Sequence, residues 1–345
     1  MSNHPLPMHG RLPIAPTHCV EPRVLAVLHR VEVAFGLGAS PRSLPPKLAY
    51  DTTGSGLAEE ITKLPSSYMV RVEQAILHEA AASIADTSRA QTLVELGAGS
   101  SDSTGPLLDA LRAIGELRHY MPVDISETAL TRSAERCHRS HPGLRVTPQV
   151  SDYDFHPGLP TERQDGRRMI ALLGNAIGTM LPDPRTKLLL RIRASVTSCD
   201  TLLLGIDLTH DPATLISAYA DPSGLISAFN KNILTVLNTR YGADFSLNAF
   251  EHVALWDARR EWIEMRLRSR RAQIIELPRM GESITLTEGE ELRTHVSAKF
   301  RRGSIRNQLT FAGFTLKSWW TDPLNQFAIV LATPGRNPFV WERSN

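Results

Sequence analysis

The sequence predicts an α/β protein: an open, mostly parallel, Rossmann-like sheet joined to a second α+β lobe. Strand-like and helix-like stretches alternate through residues 92–208, a glycine-broken turn follows the first of these strands, and a strand hairpin follows a late helix. At 345 residues the chain exceeds the size at which a single core keeps growing, which predicts two lobes.

The first 27 residues, beginning MSNHPLPMHGRLPIAP, lack an apolar periodicity and are read as flexible, with no signal-like apolar core. Helical spacing then runs from about 27 to 85 through LAVLHRVEVAF, SGLAEEITKL and YMVRVEQAILHEAAASIA. Strands are predicted at 92–96 (TLVEL), 120–125 (YMPVDI), 144–152 (LRVTPQVSD), 168–177 (RMIALLGNAI) and 201–208 (TLLLGIDL), with helices at 105–114, 127–140 and 184–196 between them. Such βα alternation implies parallel strands, right-handed crossovers and helices on both faces. Residues 209–240 return to helical spacing, and 249–300 read as strands and turns. A helix at 304–312 ends at Gly313, and TLKSWW and FAIVLAT flank the Asp322-Pro323 turn. A hairpin added to a parallel sheet contributes an antiparallel strand, an arrangement that separates methyltransferase sheets from dinucleotide folds.

Hydrophobic residues at 42% and charged residues at 21% fit a water-soluble globular chain. Lys and Arg exceed Asp and Glu by only two, 38 against 36, so no strong field draws nucleic acid or an anionic membrane. The basic clusters at 266–271 and 301–302 are read as solvated faces. Three scattered cysteines argue against a disulfide framework, and with no apolar span the expected location is cytoplasmic. Cys137-His138 with His141 raises a metal site, but a helix end before the Pro142-Gly143 turn accounts for the run, and no metal is expected.

The chemistry concentrates at the strand ends, where open α/β sheets bind ligands. The first strand ends Glu95-Leu96-Gly97-Ala98-Gly99, and N–H groups at the following helix start favour a polar or anionic ligand. A dinucleotide fingerprint would need a third glycine at 102, where Asp102 stands. The second strand ends in Asp124, a carboxylate able to accept from two ribose hydroxyls. The third ends Ser151-Asp152-Tyr153, an acid for an adenine amino group followed by an aromatic ring to stack on it. A ribose-binding acid is shared with NAD sites, whereas the acid–aromatic pair fits S-adenosylmethionine (SAM) better. Each residue alone is weak, since strand-end Asp residues often only cap helices.

Longer segments carry a resemblance: SLPPKLAYD (43–51), EEITKLPSSY (59–68), TLVELGAGSS (92–101), PVDIS (122–126), ALLGNAIGT (171–179), AYADPSGLISAFNKNIL (218–234), WIEMRLR (262–268), VSAKF (296–300) and WWTDP (319–323). Over residues 43–332 the chain resembles the SAM-dependent histidine-specific N-alpha-methyltransferases of ergothioneine biosynthesis. The resemblance implies a Rossmann-like SAM-binding domain at 73–208 and 301–345, and a discontinuous substrate domain at 28–72 and 209–300. It implies Tyr50, Glu95, Gly97, Gly99, Ser103, Asp124, Asp152 and Tyr153 around the cofactor, with Ser103 replacing a lysine that reaches the cofactor carboxylate. Tyr50 and Gly174 would hold the attacking amine. The acceptor pocket would comprise Ala58, Ser67, Tyr68, Gly174, Thr179, Tyr219, Met265, His295 and Ser297, with Tyr219 and Thr179 on the acceptor's acid group.

Four acceptor-pocket positions also depart from the family pattern: Ala58 for phenylalanine, Ser67 for tyrosine, Thr179 for asparagine and His295 for glutamate. The first two enlarge a pocket, and the last removes the carboxylate partner of an imidazole N–H. The implied activity is methyl transfer to a small-molecule amine or amino acid other than histidine, such as an aromatic amino acid or a natural-product intermediate. A protonated His295 would face an acidic group. Alternatively His295 and Thr179 only fill space and histidine is the substrate, or the methyl goes to oxygen or carbon, or the chain binds cofactor without catalysis.

Overall fold

A computed structural model describes residues 16–99, 103–156, 159, 166–220 and 222–335. The described residues begin with β1 (Thr17–His18) and α1 (Pro22–Gly38), so residues 16–27 are not loose as expected; β1 pairs with a strand of the main sheet, and Pro22 supplies the preset φ of a helix start. Residues 1–15 of that expectation, and 336–345 of the expected SAM domain, lie outside the described residues.

A 3₁₀ turn at Pro46–Ala49 precedes α2 (Thr52–Thr62), which the Asp51 carboxylate caps by accepting from the Gly54 N–H at 2.8 Å. Next, α3 (Tyr68–Ser88) buries Tyr68, Glu73, Ile76, Leu77, Ala80, Ala81, Ile84 and Ala85, a stripe at helical spacing. It ends at Arg89 in a left-handed conformation, whose N–H returns to the Ala85 carbonyl at 2.8 Å.

The alternating region follows as β2 (Thr92–Leu96), α4 (Gly105–Ala113), β3 (His119–Asp124), α5 (Glu127–Ser140), β4 (Arg145–Val146), β5 (Gln149–Val150), β6 (Arg168–Leu172), α6 (Pro182–Ser195) and β7 (Thr201–Asp207). The expected strand at 144–152 is two short pieces, because Pro148 has no N–H to give the ladder. The expected strand at 168–177 stops at Leu172: Gly174 and Asn175 turn left-handed, and Ala176–Thr179 forms a 3₁₀ helix.

The remainder runs α7 (Pro212–Ala220), α8 (Leu225–Tyr241), β8 (Phe250–Asp257), β9 (Trp262–Ser269), β10 (Gln273–Leu277), β11 (Glu282–Leu286), β12 (Glu291–Ala298), α9 (Arg302–Phe311), β13 (Phe314–Thr321) and β14 (Phe327–Pro334). The main sheet has the order β1-β5-β3-β2-β6-β7-β14-β13, with β4 beside β3. It is parallel through β7, and β14 enters antiparallel between β7 and β13. Alternate residues bury opposite faces. Val94, Ile170, Leu202, Leu204 and Val330 pack beneath α6 and α9, while Leu93, Met169, Leu203, Phe327 and Ile329 pack beneath α3 and α4. A third core joins Val33, Leu37 and Leu48 with Leu215, Phe229, Ile233, Phe250, Met265, Leu267 and Leu292. No helix among the described residues is long and apolar enough to cross a membrane.

Candidate cofactor and acceptor site

The C-terminal ends of β2, β3, β5 and β6 open into a cavity of about 560 Å³ whose far wall is α1, residues 43–47 and β12. Gly97 (φ +75°) and Gly99 (φ +53°) make the turn after β2. A Cβ at Gly97 would stand 3.5 Å from the Tyr153 hydroxyl and 3.6 Å from Ala176 Cβ, so the glycine keeps backbone bare at a cavity wall. The Asp124 carboxylate accepts from the Gly99 N–H at 2.9 Å and the Ser126 N–H at 2.8 Å. Burial pushes its pKa up while those N–H groups pull it down, and it lines the cavity beside Tyr50 and Tyr153.

Glu95 sits behind this turn rather than on the cavity: it accepts from Thr104 and Tyr120, both at 2.6 Å, and braces the glycines. Ser103 is also off the cavity wall, 2% exposed, and its hydroxyl has no partner among the described residues, an unmet hydrogen bond beside the turn. Bare backbone, a ribose-suited carboxylate and an orphan hydroxyl in this order fit a nucleoside-bearing cofactor with a polar tail.

Asp152 lines the cavity but is already engaged. Its Oδ2 lies 3.0 Å from His29 Nε2 and 2.7 Å from Lys47 Nζ, and its Oδ1 accepts from the Asp154 N–H at 3.0 Å. Burial raises its pKa, but His29 and the Lys47 ammonium outweigh that and hold the carboxyl below its ordinary value. His29, Glu32 and Asp152 are close enough to hold a metal ion, yet Lys47 Nζ already stands 3.1 Å from Glu32, so an ammonium compensates the cluster. At the other candidate, His141 ties the end of α5 to Asp109 at 3.0 Å, with Cys137 Sγ 3.9 Å away. The basic cluster at 266–271 is partly paired: Arg266 and Arg268 each donate to Glu291, at 2.6 and 2.7 Å.

On the acceptor side, Ala58, Gly174, Thr179 and His295 line the cavity. Gly174 (φ +63°) donates its N–H to Glu73 Oε1 at 2.7 Å, and Asn175 (φ +57°) donates to Ser297 Oγ and the Ala298 carbonyl, each at 3.2 Å. These clamps fix the turn after β6. Thr179 donates its hydroxyl to the Ala176 carbonyl at 2.8 Å. Burial, then the Lys299 ammonium, push His295 down to about 4, which favours a neutral imidazole at pH 7.

Five expected acceptor residues are not on the cavity wall. Tyr68, Tyr219 and Ser297 belong to a buried hub: Lys299 Nζ is 2.6 Å from Asp207, 3.0 Å from Ser297 Oγ and 3.5 Å from the Tyr219 hydroxyl, and Tyr68 donates to Asp207 at 2.6 Å. Met265 is buried opposite His295 in the β9–β12 ladder. Ser67 precedes α3, and its carbonyl takes the Arg71 guanidinium at 2.9 Å. Sequence reasoning missed Lys47, Glu73, Asn175, Asp207 and Lys299. Most sit inside the quoted segments, where neighbouring residues received the chemistry.

A parallel sheet closed by one antiparallel strand, with a glycine turn facing a carboxylate at the neighbouring strand end, fits a SAM-dependent methyltransferase. Residues 29–334 match the family model described as histidine-specific methyltransferase, SAM-dependent, and the chain belongs to that family. It is 41% identical over 303 residues to a histidine N-alpha-methyltransferase of Mycobacterium tuberculosis, covering 88% of this chain and 94% of that one. It is 27% identical over 307 residues to the 4-dimethylallyltryptophan N-methyltransferase easF of Trichophyton verrucosum, covering 84% and 88%. Among solved structures, magnesium protoporphyrin IX methyltransferase from Synechocystis is similar at 13% identity and a TM-score of 0.46, over 84% of this chain and 98% of that one.

Proposed function

We propose that the protein methylates the amine of an amino acid or of an amino-acid-derived small molecule. The observation that carries the reading is that the glycine turn, Asp124, Tyr50 and Gly174 share one cavity wall. Bound SAM supplies an already activated methyl group, so the chain's task is to align a neutral amine and exclude water. Asp124 would take ribose hydroxyls, Tyr153 would stack on the adenine beside Asp152, and the Gly97–Gly99 turn would hold the methionine end with Ser103 behind it. Burial, then Asp124 and Tyr219, push Tyr50 up to about 12, so it remains a phenol that hydrogen-bonds the amine opposite the Gly174 carbonyl. Residues 28–72 and 209–300 form the acceptor lobe, and 73–208 with the chain from 301 onward form the cofactor lobe.

The acceptor we favour is a larger aromatic amine than histidine. Ala58 leaves room on the wall, and a neutral His295 provides no carboxylate for an imidazole N–H. The relative named for 4-dimethylallyltryptophan supports an enlarged acceptor. Histidine is the second reading, favoured by the 41% identity to a histidine N-alpha-methyltransferase.

Transfer from labelled SAM to histidine, tryptophan, tyrosine and their N-methyl derivatives, by wild type and His295→Glu, separates the two. Wild type is expected to prefer tryptophan or tyrosine, and His295→Glu to raise histidine turnover about tenfold or more. Efficient histidine methylation by wild type establishes the second reading. A new methyl on oxygen or carbon overturns N-transfer.

A further inference from the structure

We propose that Arg185 is a positioning residue for the methyl acceptor: its guanidinium sets the course of residues 176–181, and with it the acceptor side of the cavity, while the cofactor turn keeps its own supports. The inference rests on the amine-methylating reading and adds which buried group gives that wall its shape.

Arg185 stands near the start of α6 and is 5% exposed. Burial pushes its pKa down to about 10, and no neighbouring acid offsets the shift. Its partners among the described residues are neutral. Nε donates to the Ile177 carbonyl at 3.1 Å, Nη2 to the Met180 carbonyl at 2.8 Å, and Nη1 to Gln308 Oε1 on α9 at 3.4 Å. The guanidinium carbon lies 4.8 Å from the centre of the Phe300 ring. A buried cation without a counter-charge is costly, so what this one holds in place is informative.

It holds irregular backbone. The 3₁₀ helix Ala176–Thr179 is one turn long and runs out into extended Met180 and Leu181, at ψ 145° and 159°, where the carbonyls join no strand ladder. The carbonyl taken at Ile177 lies inside the short helix, and the one taken at Met180 lies just beyond its end. One planar fork with fixed N–H directions therefore spans the bend. Ala176, Thr179, Met180, Leu181 and Pro184, carried by this bend and the helix start after it, line the cavity. Behind the guanidinium, Phe300 follows β12 and donates its N–H to the Asp207 carbonyl at 2.8 Å, which braces the bend against β7. The cofactor turn is held otherwise, by Asp124 on Gly99 and by Glu95 on Thr104, and Arg185 takes part in neither bond. Loss of the guanidinium should loosen the acceptor wall and spare the site of the methyl donor.

Transfer from labelled SAM to L-tryptophan, L-tyrosine and L-histidine is measured as kcat and KM for wild type, Arg185→Met and Arg185→Lys, beside calorimetric titration of S-adenosylhomocysteine. Arg185→Met is expected to raise KM for the preferred acceptor tenfold or more, to bring its kcat/KM advantage over the other two toward one, and to leave the S-adenosylhomocysteine Kd within threefold. Arg185→Lys keeps the charge but reaches a single carbonyl, and should recover part of both losses. If Arg185→Met does not fold, Arg185→Lys carries the test, with a threefold or greater rise in KM expected against an unchanged Kd. An acceptor KM that does not rise in the folded variant, or a cofactor Kd that weakens as much as the acceptor KM, overturns the inference and leaves amine methylation standing. Full cofactor binding by wild type without transfer to any of the three overturns the functional reading and this inference together.

Discussion

Two carboxyls, one on the cavity and one buried, show how neighbouring groups divide the work. Asp124 faces the cavity and holds the glycine turn through Gly99. Asp124→Ala should weaken S-adenosylhomocysteine binding by about ten- to a hundredfold, some 1.4–2.8 kcal/mol, in a calorimetric titration. Unchanged affinity would remove Asp124 from the cofactor site. Glu73 faces inward, and burial is the main cause lifting it to about 8 against an ordinary 4.5. The unfolded chain ionises this group near 4.5 while the folded chain does not, so its contribution to stability falls as pH rises from 4.5 to 8. Glu73→Gln keeps an acceptor for the Gly174 N–H without that charge. Urea unfolding at pH 5 and pH 8 should therefore find the variant gaining on wild type at the higher pH; a gap independent of pH would contradict the assignment. Residues whose chemistry follows from position in a motif, such as Gly97 and Asp124, were legible in the sequence. Glu73 was not, because its meaning depends on a turn a hundred residues away.

At the scale of elements, the turn after β6 depends on three others. Glu73 reaches it from α3, Asn175 ties it to β12, and Gly205 in β7 leaves space for Glu73: a Cβ there would overlap Oε1 and lie 3.2 Å from the Phe327 ring. Gly205→Ala should cost about 1–3 kcal/mol by overpacking. It should also slow methyl transfer more than it weakens cofactor binding, which paired thermal melts and turnover measurements can test. Strand and helix order was readable here, since each parallel strand is an apolar run between helical spacings. The failures were local: Pro148 divides one strand, and the left-handed pair Gly174–Asn175 ends another inside a run that looked continuous. Which residues turn toward a cavity is decided by such bends, so the acceptor wall was less legible than the cofactor turn.

At the scale of the molecule, the cavity draws its walls from segments distributed between residues 32 and 296, and ligand binding is coupled to the whole fold. A saturating concentration of S-adenosylhomocysteine, at a hundred times its Kd, should stabilise the protein by about 2.7 kcal/mol and raise its melting temperature. No shift at that occupancy would place binding outside the cooperative unit. The strand order has a consequence in time. Asp207, which anchors the Lys299 hub, is paired with Phe327, and the adjoining Leu208 N–H donates to the Gln326 carbonyl at 2.8 Å. More than a hundred residues separate these partners, so a chain emerging from the ribosome displays its glycine turn long before it can lock the acceptor side. Nascent protein should therefore hold neither the methyl donor nor the molecule to be methylated until β14 has inserted beside β7.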